Sequence, residues 1–253
     1  MEGIILRGLS AACDILLPRI CIVCGQKLLL DEKHICLECL ADMPQTFFWT
    51  MSHNLMADKF NENIEAHLGS GDDVHHERYA YAAALFFYHS EANYRLIPQQ
   101  IKYHGNIQAG NYFGKMLGQR LASSAEFADV DVVIPVPLHW TRKWKRGYNQ
   151  AEVIALGVAS QMGVPVRTDI LVRKHRTMTQ TKVSVKEKAK NVSGAFAACP
   201  EKIGSSLYRH ILLIDDIFTT GSTLYACFVA LREVFPPSSV RISVATLGFV
   251  GRA

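Results

Sequence analysis

Two consecutive aspartates, followed by a run of hydroxyl residues, form the segment of this sequence that is richest in potential chemistry. Asp215 and Asp216 end an apolar run that begins near His210, and a short loop follows them. Carboxylates accept hydrogen bonds from ribose hydroxyls, while hydroxyls and N–H groups at the start of a helix bind a 5′-phosphate. The segment therefore predicts a site for a phosphorylated sugar. The loop residues of this predicted site are Thr219, Thr220, Gly221, Ser222 and Thr223.

A nucleotide-binding loop of a different type, or a purely structural role, fits this segment less well. The loop lacks the Gly-Lys-Thr sequence of a Walker loop, and it is not a G-x-G-x-x-G dinucleotide loop. A strand that leads into an N-capped helix would explain one aspartate and one threonine. It would not explain two acids and four hydroxyl residues together, so we favour a binding function over a purely structural one.

A basic stretch, residues 134–150, follows a second predicted strand and holds four Lys/Arg residues and no acid. Arg142 and Arg146 could make bidentate contacts with phosphate groups. A solvated basic loop is the alternative. Asn149 and Gln150 are expected to cap the helix that follows.

Four cysteines in two Cys-x-x-Cys pairs indicate a metal site. Two residues between cysteines let both sulfurs face one point, and Gly25 supplies a permissive backbone for the turn. Four thiolates favour structural zinc. The alternatives are iron in the same geometry, disulfides and free thiols. His34 could replace a cysteine as a ligand only with distortion of the site. The predicted ligands are Cys21, Cys24, Cys36 and Cys39.

Strand and helix patterns alternate along the rest of the chain, which predicts an α/β fold with a mainly parallel sheet. The expected strands are Tyr79–Tyr88, Val130–Val136, Ile170–Val172, a strand from His210 through Ile214, and Val240–Leu247. The expected helices are Ala92–Tyr103, Ile107–Leu121, Gln150–Met162 and Ser222–Val234. Residues 1–49 are predicted to form an N-terminal helix and the cysteine module. Residues 50–78 are predicted to be a connecting region with some helix, and 79–253 the α/β domain.

Composition limits the class of protein. The chain has 253 residues, 49% of them hydrophobic, and a formal charge of +4. This fits a globular protein and excludes a global polycation. No apolar run reaches the about 18 residues of a membrane helix, and Gly3–Leu17 is predicted to be an amphipathic helix. Paired thiols without a recognisable export signal predict a cytoplasmic protein.

The segment from His210 to Leu224 resembles the signature of type I phosphoribosyltransferases. That resemblance implies that Asp215 and Asp216 contact ribose, that residues 219–223 hold the 5′-phosphate, and that magnesium bridges sugar hydroxyls and pyrophosphate. The backbone at Pro137, Leu138 and His139 would then meet the diphosphate.

The whole chain resembles the ComF family of competence-associated phosphoribosyltransferase-like proteins. The motifs that carry this resemblance are the cysteine module, Ile101–Gly105, Arg146–Gln150, Gln180 with Asn191–Phe196, and the final Asp-Asp segment. The chain has Lys188 or Lys190 where relatives usually carry an arginine.

The resemblance implies binding of phosphoribosyl pyrophosphate and a role in DNA uptake, with transfer of phosphoribose to an unidentified base or amine. The alternative is a non-catalytic competence factor that binds single-stranded DNA beside a helicase partner. The basic segment Arg173–Lys190 could close over the site or contact a single strand. Trp140, Trp144 and Tyr148 could stack on bases, although such aromatics more often belong to a core.

Overall fold

Four parallel strands form the central sheet of this protein, in the order β1–β6–β5–β2. The computed structural model describes residues 18–68, 77–174, 194–204 and 207–251, without the side chains of residues 142, 143 and 145. Two further strands, β3 and β4, pair antiparallel in a separate ribbon. The strands are β1 (Ala82–Phe87), β2 (Val132–Pro135), β3 (Leu171–Arg173), β4 (Phe196–Ala198), β5 (His210–Phe218) and β6 (Arg241–Phe249).

Helices flank the sheet and cover its apolar strands. Every residue of β2 and all of β6 except Arg241 are buried, as expected for parallel strands covered by helices. The helices are α1 (Leu37–Ala41), α2 (Leu55–Leu68), α3 (Leu96–Tyr103), α4 (Ile107–Ala122), α5 (Trp140–Arg146), α6 (Gln150–Met162), α7 (Pro200–Ile203) and α8 (Ser222–Arg232). The predicted α/β class is confirmed, and each predicted strand and helix of the α/β domain has a counterpart in the structure.

Helices α4 and α6 approach each other closely because glycines lie between them. A Cβ at Gly157 would lie 2.5 Å from the carbonyl oxygen of Asn111, and one at Gly114 would overlap that of Ile154. Only a residue without a side chain allows this backbone contact. The pair fixes the start of α6, where the Oδ1 of Asn149 accepts a hydrogen bond from the Ala151 N–H. The predicted capping role of Asn149 is confirmed.

Helix α2 lies inside the segment predicted as a connecting region, yet it packs as part of the α/β core. Met56, Phe60 and Ile64 are buried, and Asn54 caps the helix by accepting from the N–H groups of Met56 and Ala57. Apolar residues spaced four apart are buried together on one helix face, which explains the packing. The domain boundaries themselves stay a prediction.

The basic stretch is partly helical. Residues 136–139 are irregular, whereas Trp140–Arg146 form helix α5. The predicted helix Gly3–Leu17 and nearly all of the segment Arg173–Lys190 lie outside the described residues. Within the described ranges, every helix is too short or too polar to cross a bilayer.

The cysteine module rests on the helical layer next to α3 and α4. The Tyr94 hydroxyl donates a hydrogen bond of 2.8 Å to the carbonyl oxygen of Cys39. The rings of His34 and Tyr112 lie 5.5 Å apart between centroids. His34 adopts a positive φ of 63° in the turn between the two cysteine pairs.

Candidate functional site

A cavity of about 210 Å³ lies where β2 and β5 end. These strands are neighbours and parallel, so the residues that follow each of them meet at one edge of the sheet. Ligands of open α/β sheets bind at this edge. The cavity is lined by Lys102, Tyr103, Val136, Pro137, Leu138, Arg146, Asn149, Gln150, Arg173, Asp215, Asp216 and Thr223.

Both predicted acids line this cavity, although they lie inside β5, which continues to Phe218. The Asp216 Oδ2 is 3.0 Å from the Lys102 Nζ, and the Asp215 Oδ1 accepts a hydrogen bond of 2.8 Å from the Asp216 N–H. The pKa of Asp215 is raised to about 7, mainly by its burial and secondly by the negative charge of Asp216. The raised pKa favours the protonated form of this carboxyl, which can donate as well as accept a hydrogen bond.

The hydroxyl loop lies between β5 and α8. Gly221 has a φ of 77°, and the hydroxyls of Thr220 and Ser222 are 2.8 Å apart. Thr219, Thr220, Ser222 and Thr223 are all exposed, and of these four only Thr223 lines the cavity together with the two acids. The structure thus brings one end of the predicted phosphate loop to the cavity and leaves the other end open to solvent.

The end of β2 and the start of α6 supply the opposite wall. Pro137, Leu138 and Arg146 line the cavity, and the Arg146 Nη1 donates a hydrogen bond of 3.0 Å to the Gln150 Oε1. The guanidinium of Arg146 also lies 5.3 Å from the ring centroid of Tyr103. This part of the lining therefore carries a positive charge in the same cavity as the acids.

One predicted residue of the basic stretch is absent from the cavity lining, and a second has no described side chain. His139 does not line the cavity, and its Nδ1 is 2.7 Å from the Thr141 hydroxyl. The side chain of Arg142 lies outside the described part of the structure.

Helix α2 contributes two residues that the sequence motifs do not assign to the site. The Lys59 Nζ donates a hydrogen bond of 2.9 Å to the Thr219 carbonyl oxygen, and the Asn63 Nδ2 donates one of 3.0 Å to that of Thr220. The four-residue spacing of Met56, Phe60 and Ile64 is the signal that could have revealed this helix. Nothing in the sequence pairs it with the loop.

Lys102 and Tyr103 also join the site, although no sequence motif predicts a ligand contact for either of them. Both lie at the carboxyl end of α3, which brings them to the cavity. Gln150, expected to be a cap, instead accepts from Arg146 in the cavity wall.

The four predicted metal ligands form a compact cluster. Their sulfur atoms all lie within 4.8 Å of one another, and the Sγ atoms of Cys24 and Cys36 are 3.7 Å apart. A tetrahedron of Zn–S bonds of about 2.3 Å places sulfurs about 3.8 Å apart, so the cluster could hold a zinc ion. The Cys36 N–H donates to the Cys21 Sγ at 3.4 Å. Burial opposes ionisation of Cys21, but backbone hydrogen bonds outweigh it and lower its pKa to about 7.

The sequence is similar to curated bacterial proteins over part of its length. Competence protein F of Haemophilus influenzae is 36% identical over 104 residues, which are 41% of this chain and 45% of that protein. DNA utilization protein YhgH of Salmonella typhimurium is 26% identical over 132 residues, or 51% of this chain and 56% of that protein. The chain thus spans about half the length of the curated relatives it matches. No family model matches it.

Among solved structures, the chain is similar to the glutamine phosphoribosylpyrophosphate amidotransferase of B. subtilis. The match has 22% sequence identity and a TM-score of 0.35, and it covers 53% of this chain and 26% of that one.

The structure is that of an α/β protein with a parallel sheet flanked by helices. Two acids line a cavity at the carboxyl edge of this sheet, and four cysteines form a separate cluster. The chain is thus similar to Competence protein F and to the DNA utilization protein over 41% and 51% of its own length.

Proposed function

We propose that this chain binds phosphoribosyl pyrophosphate with magnesium at the carboxyl edge of its sheet, and that it serves DNA uptake as a ComF-type protein. The observation that carries the proposal is one cavity that joins Asp215 and Asp216 to Leu138 and Arg146. A ligand with ribose hydroxyls and phosphate groups matches this pairing of acids with cations. The names of the two relatives, which refer to competence and DNA utilization, support the proposed role in the cell.

Each part of the ligand has a chemical counterpart in the site. The carboxylates of Asp215 and Asp216 accept hydrogen bonds from the 2′- and 3′-hydroxyls of ribose. The loop of residues 219–223 and the first N–H groups of α8 hold the 5′-phosphate. Backbone groups at Pro137 and Leu138 and the guanidinium of Arg146 face the diphosphate. In this arrangement the anomeric carbon lies between the two walls of the cavity.

The proposed reaction is displacement of pyrophosphate at that carbon. The bond from the anomeric carbon to the pyrophosphate oxygen breaks as a nitrogen of the acceptor bonds to the carbon, and the nitrogen then loses a proton to solvent. Lys102 and Arg146 stabilise the negative charge that develops on the leaving group, while the acids stabilise the cationic sugar. A magnesium ion on the diphosphate would neutralise part of the same charge.

Titration calorimetry with phosphoribosyl pyrophosphate and magnesium tests this proposal. We expect wild-type protein to bind and the Asp215→Asn/Asp216→Asn variant to lose binding while it stays folded. The matched control is Asp31→Asn/Asp42→Asn, which removes two exposed carboxylates of the cysteine module. Unchanged affinity in the first variant would refute the assignment of the acids. If the wild type binds the ligand, release of pyrophosphate in the presence of a panel of nucleobases and amines would identify an acceptor.

A second candidate function is binding of single-stranded DNA beside a helicase partner. Trp140 and Trp144 of α5 are 55% and 87% exposed, on a helix whose sequence includes four basic residues. Exposed indole rings among cations offer stacking platforms for bases. Salt-sensitive binding of an oligonucleotide that survives Asp215→Asn/Asp216→Asn but not Trp144→Ala would favour this function.

We also propose that the four-cysteine cluster holds zinc as a structural ion. Four protein sulfurs leave no coordination position for water, so the ion would stabilise the module rather than take part in a reaction. Reduced thiols of this kind fit a cytoplasmic protein.

A further inference from the structure

Two side chains of helix α2 donate hydrogen bonds to consecutive backbone carbonyls of the proposed phosphate loop, residues 219–223. Lys59 and Asn63 lie one helical turn apart and therefore share a face of the helix. Lys59 donates to the carbonyl of Thr219 at 2.9 Å, and Asn63 donates to that of Thr220 at 3.0 Å. Both bonds join side chains of one helix to the backbone of the loop.

The helix that presents these donors is itself fixed to the core. Phe60 is fully buried, with its ring centroid 6.4 Å from that of Phe218 and 5.9 Å from that of Phe228. Asn61 exchanges two hydrogen bonds with the backbone of Ala80, both of 2.9 Å. Since the donors extend from a packed helix, they can hold the loop in one orientation.

Tying these carbonyls to α2 orients the N–H groups of the loop. In a trans peptide the C=O and the following N–H point in opposite directions. With the carbonyls of Thr219 and Thr220 directed towards α2, the N–H groups of Thr220 and Gly221 point away from it. Phosphate binding at the start of a helix depends on such outward N–H groups. The two donors thus keep the loop in a conformation suited to an anion.

The loop also lacks a cation of its own. The sequence from Ile217 to Leu224 contains neither lysine nor arginine. Lys59 brings an ammonium group to the carbonyl of Thr219, and the same ammonium lies 6.0 Å from the ring centroid of Phe218. A phosphate dianion held by neutral amides and hydroxyls would gain from this nearby charge.

We propose that Lys59 and Asn63 are positioning residues of the phosphate subsite, and that Lys59 also supplies its positive charge to a sugar phosphate monoester. This inference rests on the proposed function, in which the loop of residues 219–223 binds the 5′-phosphate. It extends the site to a helix whose Lys59 lies 160 residues from Thr219 in sequence.

Affinity measurements with three probes test the inference. We expect Lys59→Met to bind ribose 5-phosphate and phosphoribosyl pyrophosphate about tenfold more weakly, because the ammonium charge and its hydrogen bond to the Thr219 carbonyl are both lost. Its affinity for inorganic pyrophosphate should not change, because that probe binds at Leu138 and Arg146. Lys59→Arg should restore most of the affinity. The control is Lys115→Met, which removes an exposed lysine of α4 that does not line the cavity. Equal affinities of Lys59→Met and wild type for ribose 5-phosphate would overturn the role of Lys59.

Amide hydrogen exchange of the ligand-free protein separates this inference from the proposed function. The N–H groups of Ser222 and Tyr225 donate to the Thr220 Oγ1 and the Gly221 carbonyl. Exchange at these two amides should be faster in Lys59→Met/Asn63→Ala than in wild type, while exchange in β5 and β6 stays the same. If the wild type binds none of the probes, the proposed function fails, and exchange alone then decides whether α2 orders the loop. Unchanged exchange in the loop would overturn the positioning role.

Discussion

Replacement of Gly221 by alanine should damage both the stability of the protein and its phosphate subsite. Gly221 has a φ of 77°, which L-residues adopt at a cost of roughly 1–2 kcal/mol. A Cβ at this position would lie 2.6 Å from the Phe218 Cζ, 2.9 Å from the Phe218 Cε2 and 3.1 Å from the Asn63 Nδ2. Relief of this overlap requires movement of a buried ring or of the loop, which costs about 1–3 kcal/mol more. The expected loss of unfolding free energy is therefore about 2–5 kcal/mol.

The chain offers a matched control for this substitution. Gly163 ends α6 with a φ of 70°, and a Cβ there would meet no atom within 4 Å. Gly163→Ala should therefore cost only the backbone term of roughly 1–2 kcal/mol. The difference between the two variants isolates the overlap with Phe218 and Asn63.

Urea unfolding and titration calorimetry measure the two consequences. We expect Gly221→Ala to unfold at a lower urea concentration than Gly163→Ala, and to bind ribose 5-phosphate more weakly because its loop is displaced. Gly163→Ala should bind this ligand like the wild type. Equal destabilisation of the two variants, with equal affinity for ribose 5-phosphate, would refute the reasoning.

Two further predictions concern the acids and the metal. The pKa of Asp215 is raised from 3.8 to about 7, so the folded state binds the proton of this carboxyl more tightly than the unfolded state does. The stability of the wild type should therefore fall relative to that of Asp215→Asn as the pH rises from about 4 to about 7. Urea unfolding of both proteins across this range measures the effect, and a constant difference would contradict the raised pKa. Cys21→Ser should lower the bound zinc and the melting temperature, whereas Cys199→Ser, at a cysteine outside the cluster, should change neither. Elemental analysis checks the metal, and zinc-free native protein would argue against a zinc site.

The site was predictable where its residues are close in sequence. Asp215, Asp216 and the hydroxyl loop are consecutive, so the order of an apolar strand, acids, a glycine and a helix already indicates their neighbourhood. The cysteine pairs are predictable for the same reason, because the geometry of a Cys-x-x-Cys turn is local. The alternation of strand patterns with helix patterns likewise predicted the parallel sheet. The spacing of apolar residues within each strand or helix indicates which of its faces is buried.

The segment around α2 shows what its local sequence pattern does not reveal. Its many polar residues, such as Glu62 and Asn63, suggested a connecting region. The buried stripe of Met56, Phe60 and Ile64 is short, and the polar residues that surround it obscured its period. Tertiary packing against Phe218 and Phe228 is what makes this segment part of the core.

The sequence by itself determined the α/β class, the acids, the hydroxyl loop and the clustering of four cysteines, because each depends on residues that are near one another in the chain. Only the tertiary structure decided that Lys102 pairs with Asp216 and that Lys59 and Asn63 hold the loop. These contacts join residues more than a hundred positions apart. The packing of strands and helices determines which of these residues meet, and no local sequence pattern predicts it.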